Sequence, residues 1–109
     1  MIVSKNSEGY KELVQGVWLK TLVNGDLTHM TQVKLEKGAV IPEHTHLHEQ
    51  TGYLVSGSLR FFSGELENIV SEGDSWCFAG GYLHGAEALE DTLVIEVFSP
   101  PRKDYLSLI

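Results

Sequence analysis

Gly38-Ala39-Val40-Ile41-Pro42-Glu43-His44-Thr45-His46-Leu47-His48-Glu49-Gln50, followed by Gly57, contains three of the five histidines of this 109-residue chain. Alternate residues of a strand face the same side, so His44 and His46 can aim two imidazoles at one point while Thr45 faces away. That arrangement is a clamp for a cation. A chain reversal between Leu47 and Glu49 brings either Gln50 or Glu49 opposite the pair as a third ligand. A fourth must come from elsewhere, and His84 is the candidate. Gly80-Gly81-Tyr82-Leu83 has the character of a turn leading into a later strand that His84 opens, with Gly85 leaving space near the imidazole. A lone histidine is ordinarily a surface or packing residue, whereas the pair together with His84 points to a metal. His48 falls outside the ligand spacing and belongs to the turn, at the rim of the site; His29 belongs to a strand face.

Outward from this segment the chain keeps an all-β rhythm. From Val17 onward, short runs rich in Val, Leu, Ile, Phe, Thr and Tyr are separated by residues that tolerate tight turns. The turn signals are Asn24-Gly25-Asp26, Glu36-Lys37-Gly38, Ser56-Gly57, Ser63-Gly64-Glu65, Glu72-Gly73-Asp74, Gly80-Gly81 and Glu90-Asp91. They leave room for about eight or nine strands. Helical spacing of apolar residues occurs only at Glu8–Val14, which predicts a short helix there. Many short antiparallel strands must hide their edges, which favours a closed or nearly closed sandwich.

The length suits a single domain over residues 1–109, with one core and one site. Apolar residues make up 42% and charged residues 21%, the balance of a globular domain. A formal charge of -7, with lysine and arginine scattered, argues against nucleic acid and anionic membrane surfaces as partners. Cys77 is the only cysteine, so no internal disulfide forms, and Trp76-Cys77-Phe78 predicts a buried strand thiol. Met1 to Tyr10 lacks a long apolar run and carries Lys5 and Glu8, which leads to the expectation of a cytoplasmic protein.

The two motifs resemble those of the cupin family, G-x5-H-x-H-x3,4-E-x6-G and G-x5-P-x-G-x2-H-x3-N, with intervals intact from Gly38 to Gly57 and from Gly73 to His84. The resemblance implies a double-stranded β-helix, a jelly-roll-like barrel, and the ligand set His44, His46, Gln50 and His84 around one divalent ion. Gln50 stands where the family usually has glutamate, Ala79 where it has proline and Ala88 where it has asparagine; Glu49 is the rival to Gln50. Imidazole with oxygen ligation suits Mn, Fe, Co, Ni or Zn. Three imidazoles and a carboxamide leave the ion's charge uncompensated, so the site should welcome an anion.

The string His44 to Gln50, the run Gly73-Asp74-Ser75 ahead of His84-Gly85, and the ending Val97-Phe98-Ser99-Pro100-Pro101-Arg102-Lys103-Asp104-Tyr105-Leu106 are similar to the KdgF family of pectin-degradation cupins. In that family glutamine is the expected third ligand. The resemblance implies a metal-dependent enzyme of isomerase or lyase type, which opens the ring of a 4,5-unsaturated uronate and tautomerises it to a linear keto-uronate. The family's acid, aromatic and arginine fall on Glu96, Phe98 and Arg102, with glutamate where aspartate is usual. Glu96 lies in the apolar run Thr92 to Phe98, where alternation puts it on one face with Phe98, so burial of one implies burial of the other. Pro100-Pro101 would stiffen the approach to Arg102, which either grips a substrate carboxylate or pairs with Asp104. The partner expected is a small sugar acid. The alternatives are another small metal cupin, such as a dioxygenase, or a non-catalytic ligand-binding or sensing cupin. A homodimer is expected at family level, through an outer sheet and an exchanged N-terminal segment, Met1 to Leu13.

Overall fold

The turn residues divide the chain into ten strands and one short helix in the computed structural model, which describes residues 1–107. β1 (Lys11–Val14), β2 (Val17–Asn24), β3 (His29–Leu35), β10 (Thr92–Ser99), β5 (Glu49–Ser56) and β8 (Ser75–Phe78) lie in that order in one sheet. β4 (Val40–His44), β9 (His84–Ala88), β6 (Ser58–Ser63) and β7 (Leu66–Ser71) form a second. Neighbouring strands run antiparallel throughout. The helix, α1 (Lys103–Leu106), follows the last strand. Between the sheets, Val17, Leu19, Val33, Leu35, Leu54 and Val94 of the larger pack with Leu59, Phe61, Ala86 and Ala88 of the smaller. The all-β two-sheet expectation holds. Among the described residues no helix is long and apolar enough to cross a membrane.

Three expectations change. Ten strands form where eight or nine were expected, because the edge segments β1 and β8 are four residues each. The predicted helix at Glu8–Val14 is instead β1: Lys11 and Glu12 pair with Leu19 and Trp18, and Leu13 packs against the core. A seven-residue window is too short to separate helical from strand periodicity, and the unpaired edge of β2 captures it. Cys77 is exposed, not buried, since alternation in β8 turns Trp76 and Phe78 inward and the residue between them outward.

Pairing in register stacks inward residues into rows across the larger sheet. Leu19, Val33, Val94 and Leu54 make an apolar row. The next row along the strands is Thr21, Thr31, Glu96, Gly52 and Trp76. The one after is His29, Phe98, Gln50 and Phe78. The barrel interior therefore passes from hydrocarbon to rows that carry polar groups, Glu96 with Thr21 and Thr31 in one and His29 with Gln50 on either side of Phe98 in the next. Gly57, at φ 102°, makes the tight turn from β5 to β6, and a Cβ there would sit 2.4 Å from Thr92 Oγ1.

Candidate metal centre

The smaller sheet contributes two histidines at one end. His44 closes β4 and His84 opens β9, and the two are cross-strand partners. The ladder is irregular between Ile41 and His44, where Pro42 has no N–H to donate. His46 lies beyond the end of β4, so His44 and His46 do not alternate along a single strand as the sequence suggested; the bend of the chain brings them together instead. Ring centroids are 5.5 Å apart for His44 and His46, 4.5 Å for His44 and His84, and 5.1 Å for His46 and His84. Nitrogens of the three rings all lie within 4.8 Å of one another, a spacing that one ion can span.

Hydrogen bonding fixes the tautomers. Nδ1 of His44 donates to the Pro42 carbonyl at 2.9 Å, Nδ1 of His46 to that of His48 at 2.9 Å, and Nδ1 of His84 to that of Tyr82 at 2.7 Å. A carbonyl only accepts, so each Nε2 is left with a free lone pair. Backbone anchoring of this kind orients histidines toward a metal. His84 Nε2 is buried without any hydrogen-bond partner. His46 Nε2 faces Gln50 Oε1 at 3.0 Å, while the Gln50 amide nitrogen donates to Glu96 Oε2. Two acceptors thus face each other with no proton between them, an arrangement that a cation resolves. Burial, with the neighbouring His44 and His46, holds the His84 imidazole down to about 4 against the pull of the Tyr82 carbonyl. Burial and then Arg102 lower His46. Neutral imidazoles are the metal-binding form.

Gln50 is buried at 5% exposure within this cluster, whereas Glu49 points outward, exposed, with Oε1 3.8 Å from Cys77 Sγ. His48 sits in the bend after His46, half-buried, and lends its carbonyl to the site. His29 is fully buried on β3: Nε2 donates to Thr21 Oγ1 at 2.9 Å, and Nδ1 accepts the Arg102 backbone N–H at 3.2 Å. Gly85, expected to make room for the His84 ring, makes room for Phe62 and the Ile41 carbonyl instead.

Beside the histidines a cavity of about 390 Å³ is lined by Gln50, His84, Glu96, Phe98, Arg102 and Tyr105, with an apolar floor. Glu96 and Phe98 share the inner face as alternation requires, Phe98 at 3% exposure. Glu96 stays partly accessible where it lines the cavity, yet protein surrounds its carboxyl. That burial raises its pKa to about 7, opposed by the Gln50 amide, the Trp76 indole and Arg102. Phe98 lies 5.9 Å from the His46 ring and 5.0 Å from the Arg102 guanidinium. Arg102 is itself buried, donating from Nε and Nη2 to the two Asp104 oxygens at 3.0 and 2.8 Å and stacking 3.9 Å from the Tyr105 ring.

The structure gathers His44, His46, His84, Gln50, Glu96, Phe98 and Arg102 at one end of the barrel. Sequence reasoning missed Trp76, the fixing of Arg102 by His29, and the Tyr105 ring stacked on its guanidinium. The lone aromatic in Lys103-Asp104-Tyr105, close behind an arginine, was the available signal for the last.

The cupin domain profile matches residues 31–99. The chain is 31% identical over 99 residues to the pectin degradation protein KdgF of Dickeya dadantii (strain 3937), covering 89% of this chain and 90% of that protein. The solved structure of KdgF from Halomonas sp. matches at a TM-score of 0.87 and 31% identity, covering 95% of this chain and 98% of that one. An RmlC-like cupin from Shewanella frigidimarina also matches at 0.87, with 24% identity over 94% of each chain, a likeness of fold.

Proposed function

The chain belongs to the cupin family and, within it, to the KdgF proteins, and from that membership we propose that it is a metal-dependent enzyme of pectin breakdown, converting a 4,5-unsaturated uronate into a linear keto-uronate. One observation carries this reading. The Gln50 side chain bridges the histidine cluster, through Oε1, to the Glu96 carboxyl, through Nε2. An ion site and a proton-exchanging acid are thereby joined in one cavity.

His44, His46, His84 and Gln50 would hold the ion. When bound, the ion supplies Lewis acidity that attracts the substrate carboxylate and stabilises negative charge on the opening ring. The four ligands are neutral, so they leave that positive charge available to an anion. Arg102 spends Nε and Nη2 on Asp104, which leaves Nη1 to grip a carboxylate in the cavity. Phe98 supplies an apolar wall beside it.

Glu96, at about 7, exchanges protons in both directions near neutral pH. It takes the proton of the anomeric hydroxyl as the bond from C1 to the ring oxygen breaks and its electron pair moves to that oxygen. C1 becomes an aldehyde. Glu96 then returns the proton to C4, and the enolate collapses to a ketone at C5. Atoms and charge balance, and no oxidant is required.

The test is incubation of the nickel- or zinc-loaded protein with unsaturated galacturonate, following loss of the enol-ether absorbance against a protein-free control. Acceleration is expected, with a fall of about 10²- to 10⁴-fold in Glu96→Gln. No acceleration by the loaded wild type refutes the assignment.

A further inference from the structure

Trp76, Gly52 and Glu96 occupy one row across three neighbouring strands, with Gly52 paired to Trp76 on one side and to Glu96 on the other. Strands lie about 4.8 Å apart, so the outer two backbones are separated by roughly 10 Å. Their side chains meet only if the residue between them presents none. A Cβ on Gly52 would lie 2.2 Å from Trp76 Cε2 and 2.3 Å from Nε1, so the indole lies across the bare glycine. Gly52 does not adopt a positive φ, so its backbone conformation is open to any residue. The lateral space is what requires glycine. Phe61 of the opposite sheet holds the indole from the other side, ring centroids 4.8 Å apart and tilted by 62°.

The indole N–H is buried and has no hydrogen-bond partner. Such a donor is uncommon in folded proteins, and a tryptophan N–H usually finds an acceptor. The indole shares its row with Glu96, with only the bare backbone of Gly52 between them. Glu96 Oε2 accepts from Gln50. Oε1 accepts from none of the described residues.

We infer that Trp76 is a positioning residue, reaching across Gly52 to hold the second oxygen of the Glu96 carboxyl and so fix the direction from which Glu96 meets substrate. The inference rests on the proposed role of Glu96. A donor on each oxygen, Gln50 on one and Trp76 on the other, stops the carboxyl from rotating. Packing by Phe61 then becomes the means by which the smaller sheet sets the aim of an acid on the larger one.

The experiment uses the ¹⁵N-labelled full chain with Trp18→Phe, which leaves Trp76 as the one indole N–H signal. That signal is expected to be slow to exchange with solvent and to move upfield in Glu96→Ala, with no substrate present. In kinetics on the uronate, Trp76→Phe, which keeps the apolar ring, should lower kcat about tenfold or more while KM moves less than about threefold. Gly52→Ala, which leaves both partners in place but fills the gap, should reproduce that loss. An indole signal indifferent to Glu96→Ala, or a Trp76→Phe enzyme with unchanged kcat, overturns the inference. Because the spectrum is read without substrate, a responsive indole in a protein inactive on the uronate refutes the substrate and leaves the Trp76–Glu96 contact standing.

Discussion

Substituting Gly85 by alanine should weaken both the barrel and its hold on a metal. A Cβ at this position would meet Phe62 Cε2 at 2.5 Å, Phe62 Cζ at 2.6 Å and the Ile41 carbonyl oxygen at 2.9 Å. The Phe62 contacts involve the far end of a partly exposed side chain, which can turn away. The Ile41 oxygen is backbone of the adjacent strand, so β4 must retreat from β9 by about half an ångström to regain ordinary contact distance. Overpacking of this kind costs about 1–3 kcal/mol. For a chain of this length each kcal/mol lowers Tm by about 4–8 °C, so a fall of about 4–24 °C is expected in chelator-treated protein. His44 and His84 are the next pair on that same ladder, and separating their strands should lower affinity for nickel or zinc by about tenfold or more, as loss of a supporting contact does. Thermal unfolding gives the first quantity and titration calorimetry the second. Adding Phe62→Ala to Gly85→Ala should recover only part of the loss, because the backbone contact remains. A Gly85→Ala protein that melts within about one degree of wild type, with unchanged metal affinity, refutes the account.

Three further outcomes follow from the same geometry. Arg102→Lys keeps the charge but loses the fork to Asp104 and the stacking on Phe98 and Tyr105; with Asp104 58% exposed that ion pair contributes about 1 kcal/mol at most, so the main effect should be a KM for the uronate raised about tenfold, and an unchanged KM refutes it. Burial and then Arg102 hold His29 below its usual value, so the unfolded chain binds a proton that the native one refuses; stability is full above about pH 6.5 and is lost as pH falls toward the folded value, by up to about 1.4 kcal/mol per unit. Denaturant titration of metal-free protein should find that dependence reduced in His29→Gln, and an identical slope would count against it. Pairing through Met1 to Leu13 is a family-level expectation, and Met1 and Ile2 stand 95% and 96% exposed: light scattering should give twice the mass of one chain, falling to one when residues 1–6 are removed, and a monomeric intact chain would overturn this.

The features legible in the sequence are those set by residue type and interval. Glycine and asparagine or aspartate marked the turns because backbone conformation there depends on side-chain absence or on local hydrogen bonding. His44 and His84 were legible because each sits at a strand end next to turn residues, whereas spacing left Gln50 and Glu49 as equal candidates and only the resemblance to the KdgF family favoured Gln50. Glu96 was legible through Phe98, two residues on, whose burial carried the acid to the same face. What depends on lateral neighbours was hidden. Nothing in Trp76-Cys77-Phe78 tells which face of three apolar residues turns inward; the pairing of β8 with β5 decides that. Gly52 looks like any strand glycine until Trp76 is placed beside it. His29 and Arg102 are 73 positions apart in the chain, and the hydrogen bond between them exists only in the fold.

The candidate ligands come from both halves of the barrel: His44 and His84 from the four-stranded sheet, Gln50 from the six-stranded one. A bound cation would therefore rivet the two sheets together at their open end. Opening that mouth would require releasing the ion, so occupancy and mechanical integrity become one thermodynamic quantity. Each tenfold excess of free metal over Kd would add about 1.4 kcal/mol against unfolding. The same protein would then be stiffer or looser according to the metal available to it, before any sugar acid arrives.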